Sequence, residues 1–205
     1  MATRAQNQQG RRGTILKTAS EMFLAHGYEG VSIDAVIART GGTKTNVYTL
    51  FGGKAELFAA AVDEQCQKLA RSLVDYELAG LQPEEALRRL GRAYLSALLS
   101  KSSVRQHRLM IAEAVRFPAL GRRWFKNGPG AIRSGLVAQL EELPGFPSKA
   151  QARHFANAFL DMLGGEPLMR QLAGSGAAPS TREISRYVDD AITVVLQGVL
   201  TSKRR

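Results

Sequence analysis

Apolar residues recur every three to four positions along almost the whole chain, and no stretch alternates apolar and polar residues in the rhythm of a strand. That periodicity predicts an all-α protein of about nine helices. The first is expected over 12–25, with Ile15, Ala19, Met22 and Phe23 on one face and His26-Gly27 as its stop. Residues 1–10 carry no apolar rhythm and read as a disordered arm. Ser32 has the chemistry of an N-cap for a short helix through Ile33, Val36 and Ile37 to about residue 39. Gly41-Gly42 form a turn, and Thr43 is a second cap before a helix over 44–50 that carries Val47 and Phe51 inward. Gly52-Gly53 break the chain again, and a long helix from Lys54 runs to near Gly80.

Beyond it the pattern lengthens. Pro83-Glu84-Glu85 suits a helix start, proline and acids both favouring the first turn. Further helices are expected over 104–117, over 120–143 with a kink near Gly128-Pro129-Gly130, over 148–172 with Ser148 as cap, and over 181–200. Pro144-Gly145-Phe146-Pro147 reads as a turn, 173–180 as a loop, and Lys203-Arg204-Arg205 as a basic tail. The last two helices are apolar on more than one side. Phe155, Phe159, Leu160, Met162 and Leu163 mark the first of them, and Ile184, Val188, Ile192, Val195 and Leu196 the second. A helix facing water needs one apolar stripe, so two imply a second buried face against another subunit in a two-fold interface.

Composition adds three constraints. Hydrophobic residues make up 44% of the chain, enough for a core, so disorder is not the expectation. A net charge of +10 points to an anionic partner. Cys66 stands alone on an apolar face, so it cannot form an internal disulfide and reads as a small core residue. The polar, basic start MATRAQNQQGRRG lacks the apolar segment of a secretory signal, and no run approaches membrane-spanning length. These features together predict a cytoplasmic protein with no membrane partner.

The chemistry concentrates in VSIDAVIARTGGTKTNVYTLFGGKAEL, residues 31–57. Two short amphipathic helices joined by a glycine turn, each behind a hydroxyl cap, make a helix-turn-helix pattern. A recognition helix of this kind lies in the major groove with its N-terminal side chains toward base edges. Lys44, Thr45, Asn46 and Thr49 supply donors and acceptors there, and Asn46 has the bidentate amide that suits adenine. Over residues 1–55 seven basic side chains face three acidic ones, a net +4. Arg4, Arg11 and Arg12, ahead of the expected first helix, either follow a DNA backbone, enter a minor groove, or only keep a tail soluble.

With Gly41, Thr43, Val47, Tyr48, Phe51, Lys54, Glu56 and Leu57 in this spacing, the segment resembles the TetR family of bacterial regulators. The resemblance implies a three-helix DNA-binding head, a helical body that dimerises through its last two helices, and a small-molecule effector whose binding changes the separation of the heads. It assigns phosphate contacts to Tyr48 and Lys54, and Lys54 also opens a helix, where the dipole favours anions. Ser32 and Thr43 join the expected DNA contacts through their hydroxyls. Where the family carries His just before the Phe, this chain has Leu50, leaving that residue either on a thymine methyl or packed inward. The expected boundary places the head at 1–55 and the regulatory and dimerisation domain at 56–205. A palindromic operator with half-sites about 34 Å apart, or a small multiple, follows from the two-fold.

The run Ile111-Ala112-Glu113-Ala114-Val115-Arg116-Phe117-Pro118 further resembles the AefR-like subgroup of that family. Around it, residues 101–133 hold eight basic side chains and one acid, Glu113. That segment serves an anionic effector, a general field towards DNA, or only a solvated face. Candidate pocket residues in the body are Tyr94, His107, Met110, Glu113, Phe117, Trp124, Phe125, Asn157, Phe159 and Met162, each with core packing as its alternative. His107 and Glu113 among apolar neighbours need partners if buried: each other, an arginine, or a ligand.

Enzyme chemistry finds no support. His26, His107 and His154 lie far apart, no phosphate-binding glycine loop follows a strand, and no metal-ligand spacing or cofactor motif is present. The expectation is therefore a DNA-binding transcriptional regulator, a repressor released by its effector, on the nucleoid when bound. A helical ligand carrier or interaction protein with a degenerate head is the alternative, kept open by Leu50.

Overall fold

The computed structural model describes residues 4–74, 80–142 and 148–202. Among the described residues it holds ten α-helices and no strand: α1 (Arg4–His26), α2 (Ile33–Thr40), α3 (Lys44–Phe51), α4 (Lys54–Val74), α5 (Pro83–Leu98), α6 (Lys101–Ala114), α7 (Pro118–Phe125), α8 (Ala131–Glu141), α9 (Lys149–Leu172) and α10 (Thr181–Ser202). They divide into two compact units. The head unit takes Met1–Lys68 and Arg108–Trp124, and the body unit takes Leu69–His107 and Phe125–Arg205.

The head grows from its caps. Ser32 accepts the Ala35 N–H at 3.1 Å and Thr43 accepts the Asn46 N–H at 3.3 Å, each satisfying a donor that the first helical turn leaves without an intrahelical partner. Gly52 closes α3 in the left-handed region, φ 98°, and returns its N–H to the Tyr48 carbonyl. The faces so oriented bury Ile15, Ala19, Phe23, Val36, Val47, Leu57 and Phe58 in one cluster. Phe23, Tyr28 and Phe58 form its aromatic centre, with Phe58 4.9 Å from Phe23 and 5.1 Å from Tyr28 between ring centroids. Burying each such ring contributes about 1.5–3 kcal/mol. Met110 of α6 and Leu120 of α7 complete the cluster, which also holds the buried Cys66.

In the body unit α5 packs on α9 and α10, and α8 packs on α9. Leu87, Leu90, Leu95, Phe159, Leu163, Val188 and Ile192 fill the core. Gly91 sets the spacing: a Cβ there would stand 2.9 Å from both Phe159 and Val188, so only a residue without one lets α5 approach this closely. Ser180 and Glu183 open α10 with a capping box, the Ser180 hydroxyl accepting the Glu183 N–H and the carboxylate accepting the Ser180 N–H. The Ser180 N–H and hydroxyl, both donating to it, hold the Glu183 carboxyl below its ordinary range.

Three expectations are corrected. The stretch from Arg4 onward is helical, so Arg11 and Arg12 lie within α1 and not ahead of it. A polar helix has no apolar stripe to betray it. The helix expected over 104–117 begins at Lys101 and stops at Ala114. The one expected over 120–143 is two helices joined by a single π-helical turn, Lys126–Gly130. Pro129 lies within that turn and has no N–H to donate, so the ordinary ladder cannot run through it. The Pro144-Gly145-Phe146-Pro147 turn and the Lys203-Arg204-Arg205 tail lie outside the described residues, as do 75–79 just before the expected end of α4. Among the described residues no helix is long and apolar enough to cross a membrane.

Candidate nucleic-acid interface

The caps that start α2 and α3 leave one end of the recognition helix open to solvent. Lys44, Thr45, Tyr48 and Thr49 are exposed, and Tyr48 retains 54% of its accessible surface although it is aromatic. Val47, one position before it, is fully buried. The helix thus shows a polar face outward while anchoring through Val47, which is the presentation that groove reading requires. Asn46 is half-buried, its amide nitrogen close to the α2–α3 turn. Ser32 and Thr43 spend lone pairs on their caps, and each keeps an O–H free to donate to a phosphate.

The lysines are held by single carboxylates. Lys44 Nζ stands 2.9 Å from Asp34, and the hydrogen bond to that carboxylate, with its charge, raises the ammonium above its ordinary range. Lys54 Nζ lies 3.8 Å from Glu29 and 4.3 Å from the centroid of the Tyr28 ring. Arg39 pairs loosely with Glu21 at 3.8 Å. All three acids are well exposed, so each pair is exchangeable in solvent.

Two residues enter that the sequence did not single out for these roles. Arg11 of α1 reaches over the α2–α3 turn, so that a Cβ on Gly42 would collide with its guanidinium. Arg116, in the connection between α6 and α7, pairs with Glu29 and lies 5.7 Å from the Tyr28 ring. No periodicity announces an ion pair between residues so distant in the chain.

Leu50 is half-buried and packs against the head core. With Phe51, Ala55, Ala59 and Leu120 it lines a cleft of about 450 Å³, and Arg12 stacks over Phe51 at 5.0 Å on its rim. Of the two expectations for Leu50, packing inward is the one observed.

The ten candidate pocket residues are divided between the two units. Met110, Glu113, Phe117 and Trp124 belong to the head unit, where Met110 is fully buried and Phe117 and Trp124 pack against the core. Glu113 is half-buried, its carbonyl accepting the N–H groups of Arg116 and Phe117. Tyr94, His107, Phe125, Asn157, Phe159 and Met162 belong to the body unit. Phe159 is core and Phe125 is 60% exposed, so neither behaves as a pocket wall. His107 has a partner that none of the three expectations named: its Nδ1–H donates to the Ser103 carbonyl one turn earlier, at 2.8 Å. Burial lowers its imidazole below the ordinary 6.5. Tyr94 and Asn157 do come together around Arg133. The guanidinium donates to Asn157 Oδ1 at 3.1 Å and to Asp161, while burial raises the Tyr94 phenol and the Arg133 charge opposes that rise.

A capped recognition helix behind a glycine turn, on an all-helical chain, defines a helix-turn-helix regulator fold. Residues 15–61 match the family model of bacterial regulatory proteins of the tetR family, and residues 85–198 match that of the AefR-like transcriptional repressor C-terminal domain. The chain belongs to the TetR family. It is 36% identical over 59 residues to the HTH-type transcriptional activator FasR of Mycolicibacterium smegmatis, covering 29% of this chain and 27% of that protein. It is 30% identical over 69 residues to the HTH-type transcriptional repressor SCO4008 of Streptomyces coelicolor, 34% of this chain and 36% of that one. The matches span about a quarter to a third of these curated relatives. Among solved structures, the flavonoid-responsive regulator FrrA superposes with a TM-score of 0.76 at 28% identity, over 93% of this chain and 97% of FrrA. A TetR-family regulator from Mesorhizobium loti reaches 0.79 at 23% identity, over 96% and 98%.

Proposed function

We propose that this chain is a sequence-specific, DNA-binding transcriptional repressor that works as a homodimer and is released from a palindromic operator by a small-molecule effector. The observation that carries the reading is the exposed edge of α3, with Lys44, Thr45, Tyr48 and Thr49 outward and Lys54 opening α4 beside it. In this reading Asn46 reads a base, Tyr48 and Lys54 take phosphates, and Ser32 and Thr43 donate to phosphates from their caps. Residues 1–55 form the DNA-binding domain and 56–205 the regulatory and dimerisation domain, acting in the bacterial cytoplasm.

Dimerisation through α9 and α10 is supported by apolar side chains left in water on those helices: Met162 at 37%, Met169 at 65% and Val194 at 57% exposure. FrrA is a flavonoid-responsive regulator, and a planar phenolic compound is accordingly the effector class to try first. Tyr94, Arg133 and Asn157 offer the polar groups that such a compound needs. Effector and operator then oppose each other reciprocally, each favouring a different arrangement of one dimer.

The test is selection of bound duplexes from a random pool at near-physiological salt, followed by titration of a flavonoid panel against the recovered duplex. A palindrome with half-sites one or two turns apart, released by a phenolic compound, is the expected result. Binding without a motif that fades as salt rises would replace the repressor by a sequence-independent architectural protein. A motif that no compound releases would remove the effector and leave the regulator.

A further inference from the structure

Glu29 is the carboxylate on which two cations of the head meet. It follows Tyr28, whose ring is buried among Phe23, Phe58 and Phe117 with Phe117 edge-on at 4.8 Å. Lys54 and Arg116 both lie against that ring, with Nζ at 4.3 Å and the guanidinium carbon at 5.7 Å from its centroid. Both also reach Glu29, one oxygen each: Oε1 receives Arg116 in close contact and Oε2 receives Lys54 at 3.8 Å. The ring fixes where the cations stand, and one negative charge is divided between two positive ones.

The division is unequal. A guanidinium is a planar donor array that matches a carboxylate, while an ammonium is a compact point charge that turns as readily to a phosphate. Arg116 is therefore the firm partner and Lys54 the loose one. We infer that Arg116, by occupying Glu29, keeps the charge of Lys54 available to the DNA backbone, and that Glu29 and Arg116 are positioning residues for that contact. Without Arg116 the carboxylate closes on Lys54 and competes with phosphate for it. Without the negative charge at Glu29 the lysine has no competitor. The connection between α6 and α7, which contributes nothing to α3, thereby sets the charge that the head presents.

This inference rests on the reading of Lys54 as a phosphate contact, and a double-mutant cycle separates the two. Binding is measured for wild type, Glu29→Gln, Arg116→Ala and the double variant on the selected duplex, across a range of salt, with melting curves to establish folding. Glu29 and Arg116 are more than half exposed, so the variants are expected to fold. Glu29→Gln should tighten binding about threefold and steepen the salt dependence, one more cation being free to displace counterions. Arg116→Ala should weaken binding about threefold in wild type and have no effect in the Glu29→Gln background. Arg116→Lys should restore only part of the loss, its ammonium being no firmer a partner for Glu29 than that of Lys54. Equal weakening by Arg116→Ala in both backgrounds would overturn the inference, since Arg116 would then act on DNA without Glu29. So would an unchanged salt dependence in Glu29→Gln. If wild type binds no duplex, the repressor reading falls and takes this one with it. If wild type binds and the cycle is flat, only this one falls.

Discussion

In the body, Arg88 reaches from α5 to Asp189 of α10 at 2.9 Å while also bonding Glu84 and Glu85 on its own helix. Arg133 does the same from α8 to α9, holding Asn157 and Asp161 with one guanidinium. In the head the pairs that face outward are made differently: Lys44 with Asp34 and Arg39 with Glu21 are each a single contact, and Lys54 meets one oxygen of Glu29 while Arg116 holds the other. An arginine with several acceptors on two helices acts as a cross-link. A lone exposed pair costs little to open, and a phosphate can replace its acid. Charges of the same kind therefore brace one unit and stay poised in the other, so the sign of a charge says less about its role than how many partners it has.

The largest expected effect tests the first half of that contrast. Phe159→Ala in the body core should destabilise the protein by about 3–5 kcal/mol in chemical denaturation, more than any change at the head surface. A smaller loss than at exposed head positions would undo the contrast. Next, Asn46→Ala should change base preference at particular operator positions by about 1–3 kcal/mol, read by selection repeated with the variant. An unchanged motif removes Asn46 from the readers. Lys54→Ala should weaken all duplexes alike and lower the salt slope by about one. Altered base preference there would mean that Lys54 is no phosphate contact.

The pH dependence is subtler. Burial holds the His107 imidazole below its ordinary 6.5, so the unfolded chain takes up this proton first as pH falls. The stability it contributes is complete above about 6.5 and declines as pH drops towards the folded value. Melting curves should show that decline, and it should be shallower in His107→Asn. The smallest expected effect is Asp34→Asn, which frees Lys44 and should tighten generic DNA binding about twofold while leaving the melting temperature in place. A large drop in melting temperature would show the pair to be a brace after all.

How far the sequence reveals this depends on range. Ser32, Thr43 and the glycines after α2 and α3 act on atoms two to four residues away, so their spacing already contains the helix-turn-helix. The apolar rhythm likewise reveals Ile15, Phe23, Val47 and Phe58 as core. Arg4 to Gly10 lacked that signal because a helix without an apolar face has nothing to repeat. The pocket residues are ambiguous in the sequence for another reason: Met110, Phe117, Trp124 and Phe159 are large side chains at helical spacing, which is also how cores are built. Arg116 and Glu29 meet only once the chain is folded, and nothing local in either predicts the other.

Gly42 has a bearing on how the head could be rebuilt. Gly42 stands at φ 102°, which L side chains rarely adopt, and the Arg11 guanidinium packs into the space beside it, so the two positions form a pair although they sit on different elements. Lys44, Thr45, Tyr48 and Thr49 are exchangeable cargo by comparison, because their side chains face outward. A recognition helix transplanted from another regulator would need to arrive with glycine at 42, because no change at 11 relieves that backbone strain. Grafts that ignore the pairing would be expected to lose the angle between α2 and α3 before they lose any contact to a base.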